Sequence, residues 1–258
     1  MRRMSLTSWT THRFLTGAMV PGFSLLELPA MARKAGIATL EICHFHIEDR
    51  SAAALATLRE AIAAVDVELF SILIDTGDIS SADPERRRHD MQIIQGWIDC
   101  AAALGAGHVR VVAGESAPDD QAALERSMEA LVALSEYAGQ RSVRVLTENF
   151  QRLASTAENC QKIIKALDGA VGLCADIGNF ASTTRIDSFR QVIGLAESIH
   201  VKGSYDAAGQ LYAQELRACL DASVAAGFLG PYTLVYDKPQ DTWAGVAQLA
   251  EIVAPYVE

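Results

Sequence analysis

No run of apolar residues in this chain approaches the length needed to cross a bilayer, so a membrane-spanning helix is not expected. Neither GxGxxG nor a GxxxxGK motif followed by Ser or Thr occurs, which removes the Gly-rich turns that cradle dinucleotide and nucleotide phosphates. Positive charge is scarce: 22 Lys and Arg stand against 32 Asp and Glu, a formal net charge of −10 that repels phosphate backbones and anionic lipid surfaces. The expected partner is therefore neither nucleic acid nor a membrane. Cys43, Cys100, Cys160, Cys174 and Cys219 form no CxxC pair and are odd in number, the pattern of reduced thiols in a cytoplasmic protein. No acidic residue precedes Glu27, and the leading segment is rich in Ser, Thr and Arg, as in some transit peptides. It lacks the apolar h-region of a secretory signal, and the preferred reading is a short first strand, "MSLTSW", followed by a loop. No Ser/Pro/Gly-rich linker, charge block or low-complexity tract divides the chain, so a single domain over residues 1–258 is expected.

What is present is a globular composition, 50% apolar and 21% charged. From residue 37 onward, short β-rich runs alternate with longer segments in which apolar residues recur at i, i+3, i+4 and i+7. The strands read as "MSLTSW", "IATLEICHF", "VELFSILID", "HVRVVAG", "VRVLTE", "VGLCAD", "SIHVKG" and "YTLVYD". Between and after them lie eight helical segments, from "SLLELPAMARKAG" to "DTWAGVAQLAEIVAPYVE", with Asp187 and Asp241 placed as N-caps. Eight strands and eight helices in a chain of this length predict a (β/α)8 barrel; a doubly wound open sheet is the alternative.

Chemistry in such a barrel sits at the C-terminal ends of the strands, and side chains of one parity share one face of a strand. Glu41, His44 and His46 end the second strand, Asp75 the third, and Arg110 lies inside the fourth. Glu148 ends the fifth, Asp176 with Asn179 the sixth, His200 and Lys202 the seventh, and Asp237 the eighth. Two carboxylates and an imidazole on three successive strand ends suit a divalent cation, Mn²⁺, Mg²⁺, Co²⁺ or Zn²⁺, whose charge offsets the repulsion between buried acids. Read singly, each acid is as readily a helix cap or turn residue. His44 and His46 make an H-x-H on one side of a strand, a two-ligand spacing equally suited to a substrate hydroxyl or a core hydrogen bond. Asp75 in "IDTGDIS" reads as turn or site, and the "ERRRH" run at 85–89 as a solvated helix start. Arg110 needs an anionic partner: Glu115, Glu148 or a substrate oxygen.

The strand ends "LTENF", "LCADIGN" and "IHVKG", with "GIATLEI" early and a final "YTLVYD", resemble the xylose isomerase-like TIM-barrel superfamily over nearly the whole chain. The superfamily holds sugar isomerases, ketose 3-epimerases, inosose dehydratases, hydroxypyruvate isomerase and endonuclease IV. The resemblance implies that Glu148, Asp176 and His200 are metal ligands, that Glu148 is also the base, and that Lys202 acts beside them. Asn179 stands where many members have a histidine. Val235 stands where many have a second glutamate that completes the metal set and serves as the other acid–base group.

That substitution argues against a two-base epimerase and toward metal-assisted aldose–ketose isomerisation of a small sugar or polyol ketone, by proton transfer through a metal-bound enediolate or by a hydride shift that the metal supports. Lys202 and Arg110 are then expected to stabilise substrate or enediolate, and Glu41, His46, Asp75, Asn179 and Asp237 to contact substrate. The alternatives are a dehydratase or 3-epimerase of the same superfamily, or a barrel that binds a sugar or polyol without turnover. An abasic-site nuclease is disfavoured by the acidic charge and by only six histidines. The expected partner is a small carbohydrate; a homo-oligomer is compatible with these residues, which do not specify one.

Overall fold

A computed structural model of the protein describes residues 2–257. Eight strands, all paired in parallel, close into a barrel in sequence order. They are β1 Arg3–Thr7, β2 Thr39–Cys43, β3 Glu68–Ile74, β4 His108–Val111, β5 Arg144–Glu148, β6 Gly172–Asp176, β7 Ala196–Lys202 and β8 Pro231–Val235. The ring is sealed where β1 pairs with β8, Ser5 opposite Thr233 and Leu6 opposite Leu234. A barrel has no free edge, and the near-continuous burial of these strands, covered inside by side chains and outside by helices, follows from that closure.

After a one-turn helix α1 (His12–Leu15), each of the first seven β-to-β crossings carries one helix. These are α2 Leu28–Lys34, α3 Ala52–Ala63, α4 Pro84–Leu104, α5 Gln121–Gly139, α6 Ala157–Ala166, α7 Arg185–Val192 and α8 Ala213–Ala225; α9 Thr242–Val253 follows β8. Their boundaries have local causes. Asp83 accepts from the amides of Glu85 and Arg86 with Pro84 at the first helical position, and α4 stops at Gly105, whose φ of 80° a side chain would disfavour. Asp241 caps α9 as the sequence predicts, accepting from the amides of Trp243 and Ala244. Among the described residues no helix is long and apolar enough to cross a membrane.

Three sequence expectations are corrected. Asp187 is no N-cap: α7 starts two residues earlier, at Arg185, whose buried guanidinium is drawn in by Glu215 at 2.9 Å, so Asp187 sits inside the first turn. His44 and His46 are not on a strand, because β2 stops at Cys43 and the next three residues turn into a 3-10 segment. Likewise β8 stops at Val235, so Asp237 belongs to the following loop and strand alternation does not govern where it points.

Candidate active site at the barrel mouth

Registry brings the polar strand ends together. Asp176 lies opposite His200 across β6 and β7, and Glu148 opposite Cys174 across β5 and β6. A clasp fixes this corner: the Asn149 amide nitrogen donates to the Asp176 carbonyl at 2.9 Å, and its oxygen accepts from the Asp176 amide at 2.7 Å. Above it opens a cavity of ≈ 190 Å³, bounded by Glu148, Asp176, His200, Lys202, Arg110 and Asp237, among others.

Glu148 is the most heavily engaged acid. Its Oε1 accepts from the Asn179 side-chain amide at 3.1 Å, and its Oε2 lies 2.9 Å from Arg110 Nε. That second approach is an ion pair without hydrogen-bond geometry, since neither Arg110 Nε nor Glu148 Oε2 has a hydrogen-bond partner although both are buried. Burial raises the Glu148 pKa, but Arg110 and His200 outweigh it and hold the carboxyl at about 2. Arg110 is itself held by Asp75 through Nη1 and lies over the Phe150 ring at 5.4 Å. Glu115, the other partner considered for it, pairs instead with Arg86 at 3.3 Å. Asp176 Oδ1 accepts from the amides of Gly178 and Asn179 at 2.6 and 3.0 Å. Burial, reinforced by Glu148, pushes the Asp176 pKa up.

His200 stands between the acids. Its Nε2 is 2.8 Å from Glu41 Oε2, while its Nδ1 faces Glu148 Oε1 at 3.4 Å and Asp176 Oδ2 at 3.7 Å. Burial lowers its pKa, but Cys174, Glu148 and Glu41 lift it well above the ordinary histidine value. Lys202 Nζ is 3.2 Å from Asp237 Oδ2. Burial lowers the lysine pKa, and Asp176 and Asp237 more than restore it, so Lys202 stays protonated at neutral pH.

Of the residues read from the sequence, Glu148, Asp176, Asn179, His200, Lys202, Arg110, Asp75 and Asp237 line this one cavity. Two do not. Glu41 lies behind His200, 1% exposed. His46 turns aside, its Nδ1 2.8 Å from Ser8 Oγ and its Nε2 2.9 Å from His12 Nδ1. Burial, aided by His12, drops its pKa to about 4, a neutral core histidine. His44 bonds the backbone of Leu73 and Asp75. Val235 lines the cavity, so the strand-eight wall is apolar at the position where an acid was sought. Trp9 and Phe150 also line it and escaped the sequence reading, which searched strand ends for polar groups only. Their signal was available: each lies two residues past a strand end, in "LTSW" and "TENF".

The donor set fits a divalent cation. Glu148, Cys174 and His200 each offer an atom within 4.8 Å of the others, and Asp176 Oδ2 joins them at 3.7 Å from His200 Nδ1. Burial pushes the Cys174 thiol up to about 11, so at neutral pH its sulfur is protonated and Asp176 is the better third ligand. Glu148 Oε2 is buried and paired with Arg110 by charge alone, without a hydrogen bond, which leaves it an acceptor able to take a ligand. Five carboxylates, Glu41, Asp75, Glu148, Asp176 and Asp237, meet three fixed cations, Arg110, Lys202 and Lys238, an excess of negative charge that a dication reduces.

Residues 29–225 match the family model described as xylose isomerase-like TIM barrel. The chain belongs to that family. A search of curated proteins returns no match. Among solved structures, the xylose isomerase-like chain superposes on an L-ribulose 3-epimerase with a TM-score of 0.78 at 19% identity, covering 99% of this chain and 94% of that one. It superposes on D-psicose 3-epimerase from Clostridium cellulolyticum H10, solved with D-tagatose, with a TM-score of 0.77 at 14% identity and 99% coverage of both chains. A third similar structure is 3-keto-D-glucoside 4-epimerase from E. coli, TM-score 0.73, 14% identity, covering 97% of this chain and all of that one. At these identities the likeness establishes the shared fold.

Proposed function

We propose that this protein is a sugar isomerase of the aldose–ketose type, moving a proton between neighbouring carbons of a small sugar or polyol ketone with the help of a divalent cation. The convergence of Glu148, Asp176 and His200 Nδ1 on one cavity carries this reading. The epimerase structures sharing the fold support a carbohydrate substrate. Those three residues would hold the cation, which when bound polarises the substrate carbonyl and acidifies the adjacent C–H. Glu148 is the base beside that carbon. Its other carboxylate oxygen is steadied by Asn179, and Arg110 keeps it ionised. Lys202, protonated and anchored by Asp237, faces the developing oxyanion. Trp9 and Phe150 supply the apolar walls that exclude water.

Val235 favours isomerisation over epimerisation, since one base suffices to carry a proton along a single face. A 3-epimerase is the second reading, in which Lys202, near the end of β8, would have to serve as the second proton carrier. Incubation with Mn²⁺ and a panel of aldoses and ketoses in D₂O separates them. Isomerisation places deuterium at C1 of the ketose, 3-epimerisation at C3. Glu148→Gln is expected to abolish exchange and weaken Mn²⁺ binding. Full exchange in metal-free protein, or no exchange into any sugar, refutes the proposal; no exchange and no conversion of any sugar leaves a barrel that binds without turnover.

A further inference from the structure

Glu41 has no place in the proposed chemistry. It is a carboxylate 1% exposed on β2, outside the walls of the cavity, so it cannot meet a substrate. Burying a charge is costly unless it is paired, and the partner it reaches across the barrel lumen is His200 Nε2 at 2.8 Å. The opposite ring nitrogen is 3.4 Å from Glu148 Oε1 and 3.7 Å from Asp176 Oδ2, distances too long for comparable hydrogen bonds. The shorter contact decides how the ring is held.

We infer that Glu41 is a positioning residue: it accepts the Nε2–H of His200, so that the ring faces Glu148 and Asp176 with Nδ1 and it is the Nδ1 proton that leaves when a cation binds, presetting the cation site. This rests on the cation reading above. With Glu41 gone, the imidazole is free to carry its proton on Nδ1 and donate toward Glu148, which turns a ligand atom into a blocked one. A carboxylate behind a metal-binding histidine typically contributes 10- to 100-fold in affinity. Its oxygens never touch the ion.

The test uses the full chain stripped with chelator, with Mn²⁺ as probe in calorimetric titration. Glu41→Ala is expected to bind Mn²⁺ about 10- to 100-fold more weakly than wild type. Glu41→Gln, whose amide oxygen still accepts from Nε2–H, should recover most of that loss. The spectroscopic readout is the ¹⁵N pattern of His200 in Mg²⁺-loaded wild-type protein, expected to carry its proton on Nε2. Glu41→Ala binding Mn²⁺ as tightly as wild type, or a proton on Nδ1, overturns the inference and leaves the cation site standing. A wild-type protein that binds no divalent ion overturns the cation site and this inference with it. If Glu41→Ala does not fold, the His200 proton position decides alone.

Discussion

Replacing Arg110 with Met tests the electrostatics beneath the site. Methionine is unbranched and apolar, so it fills much of the space while deleting the charge. The guanidinium is buried and is shared by Glu148 at 2.9 Å and by Asp75. Removing one partner of a buried ion pair costs about 3–5 kcal/mol, because the other charge is left uncompensated. In a domain of this size each kcal/mol shifts the melting temperature by about 2–4 °C, so a fall of roughly 6–20 °C is expected. The pH dependence has a definite sign. Glu148 is held at about 2 in the folded protein, below the unfolded value near 4.3, so its contribution is complete above pH ~4.3 and is lost as pH falls toward 2. Without Arg110 the folded value moves upward, and the stability gap to wild type narrows in acid. Urea unfolding at pH 7 and pH 3, in chelator so that no cation replaces the guanidinium, reads both effects. A variant within about 1 kcal/mol of wild type at pH 7, or a gap unchanged at pH 3, refutes the reasoning.

Gly178→Ala would place a Cβ 2.7–2.8 Å from Cβ, Cγ and Cδ of Lys202, forcing its stem aside. Deuterium exchange into substrate is expected to slow by up to about 10²-fold while Mn²⁺ affinity stays near wild type. All five cysteines are buried, and burial pushes Cys43, Cys160 and Cys219 up to about 12. A thiol reagent should therefore label none of them in the native protein and five after denaturation.

The barrel was legible because its signal is repeated. Each β-rich run and each helical period is weak alone, yet eight in alternation admit few architectures, and parity then sends Glu148, Asp176 and His200 inward from three neighbouring strands. Direction beyond a strand end was not legible. His46 follows β2 by three residues, and its orientation depends on Ser8 and His12, which are distant in sequence. The partner of Glu41 lies 159 positions away, a separation for which no local pattern exists. Arg110 had candidate partners on sequence grounds, but the choice of Glu148 over Glu115 depends on how β4 and β5 align. Trp9 and Phe150 went unread because a search for titratable groups passes over the walls that shape a pocket.

The division between isomerase and epimerase turns on where a second proton carrier can stand. Val235, buried at the end of β8, cannot be one. Lys202 can, and its pKa decides in what sense. Burial alone would lower it toward neutrality and let the amine act as a base, but Asp176 and Asp237 raise it above its ordinary value. A lysine so held gives up a proton to a growing negative charge and is seldom found neutral to take one back. Epimerisation by Glu148 and Lys202 would need that neutral form in one of its two directions. Transfer along a single face needs only Glu148 as base, with Lys202 remaining a cation throughout. The ion pair of Lys202 with Asp237 thus favours the proposed single-face transfer over a two-base epimerisation. Asp237→Asn, which weakens that pair, is the change expected to bring any exchange at C3 into view.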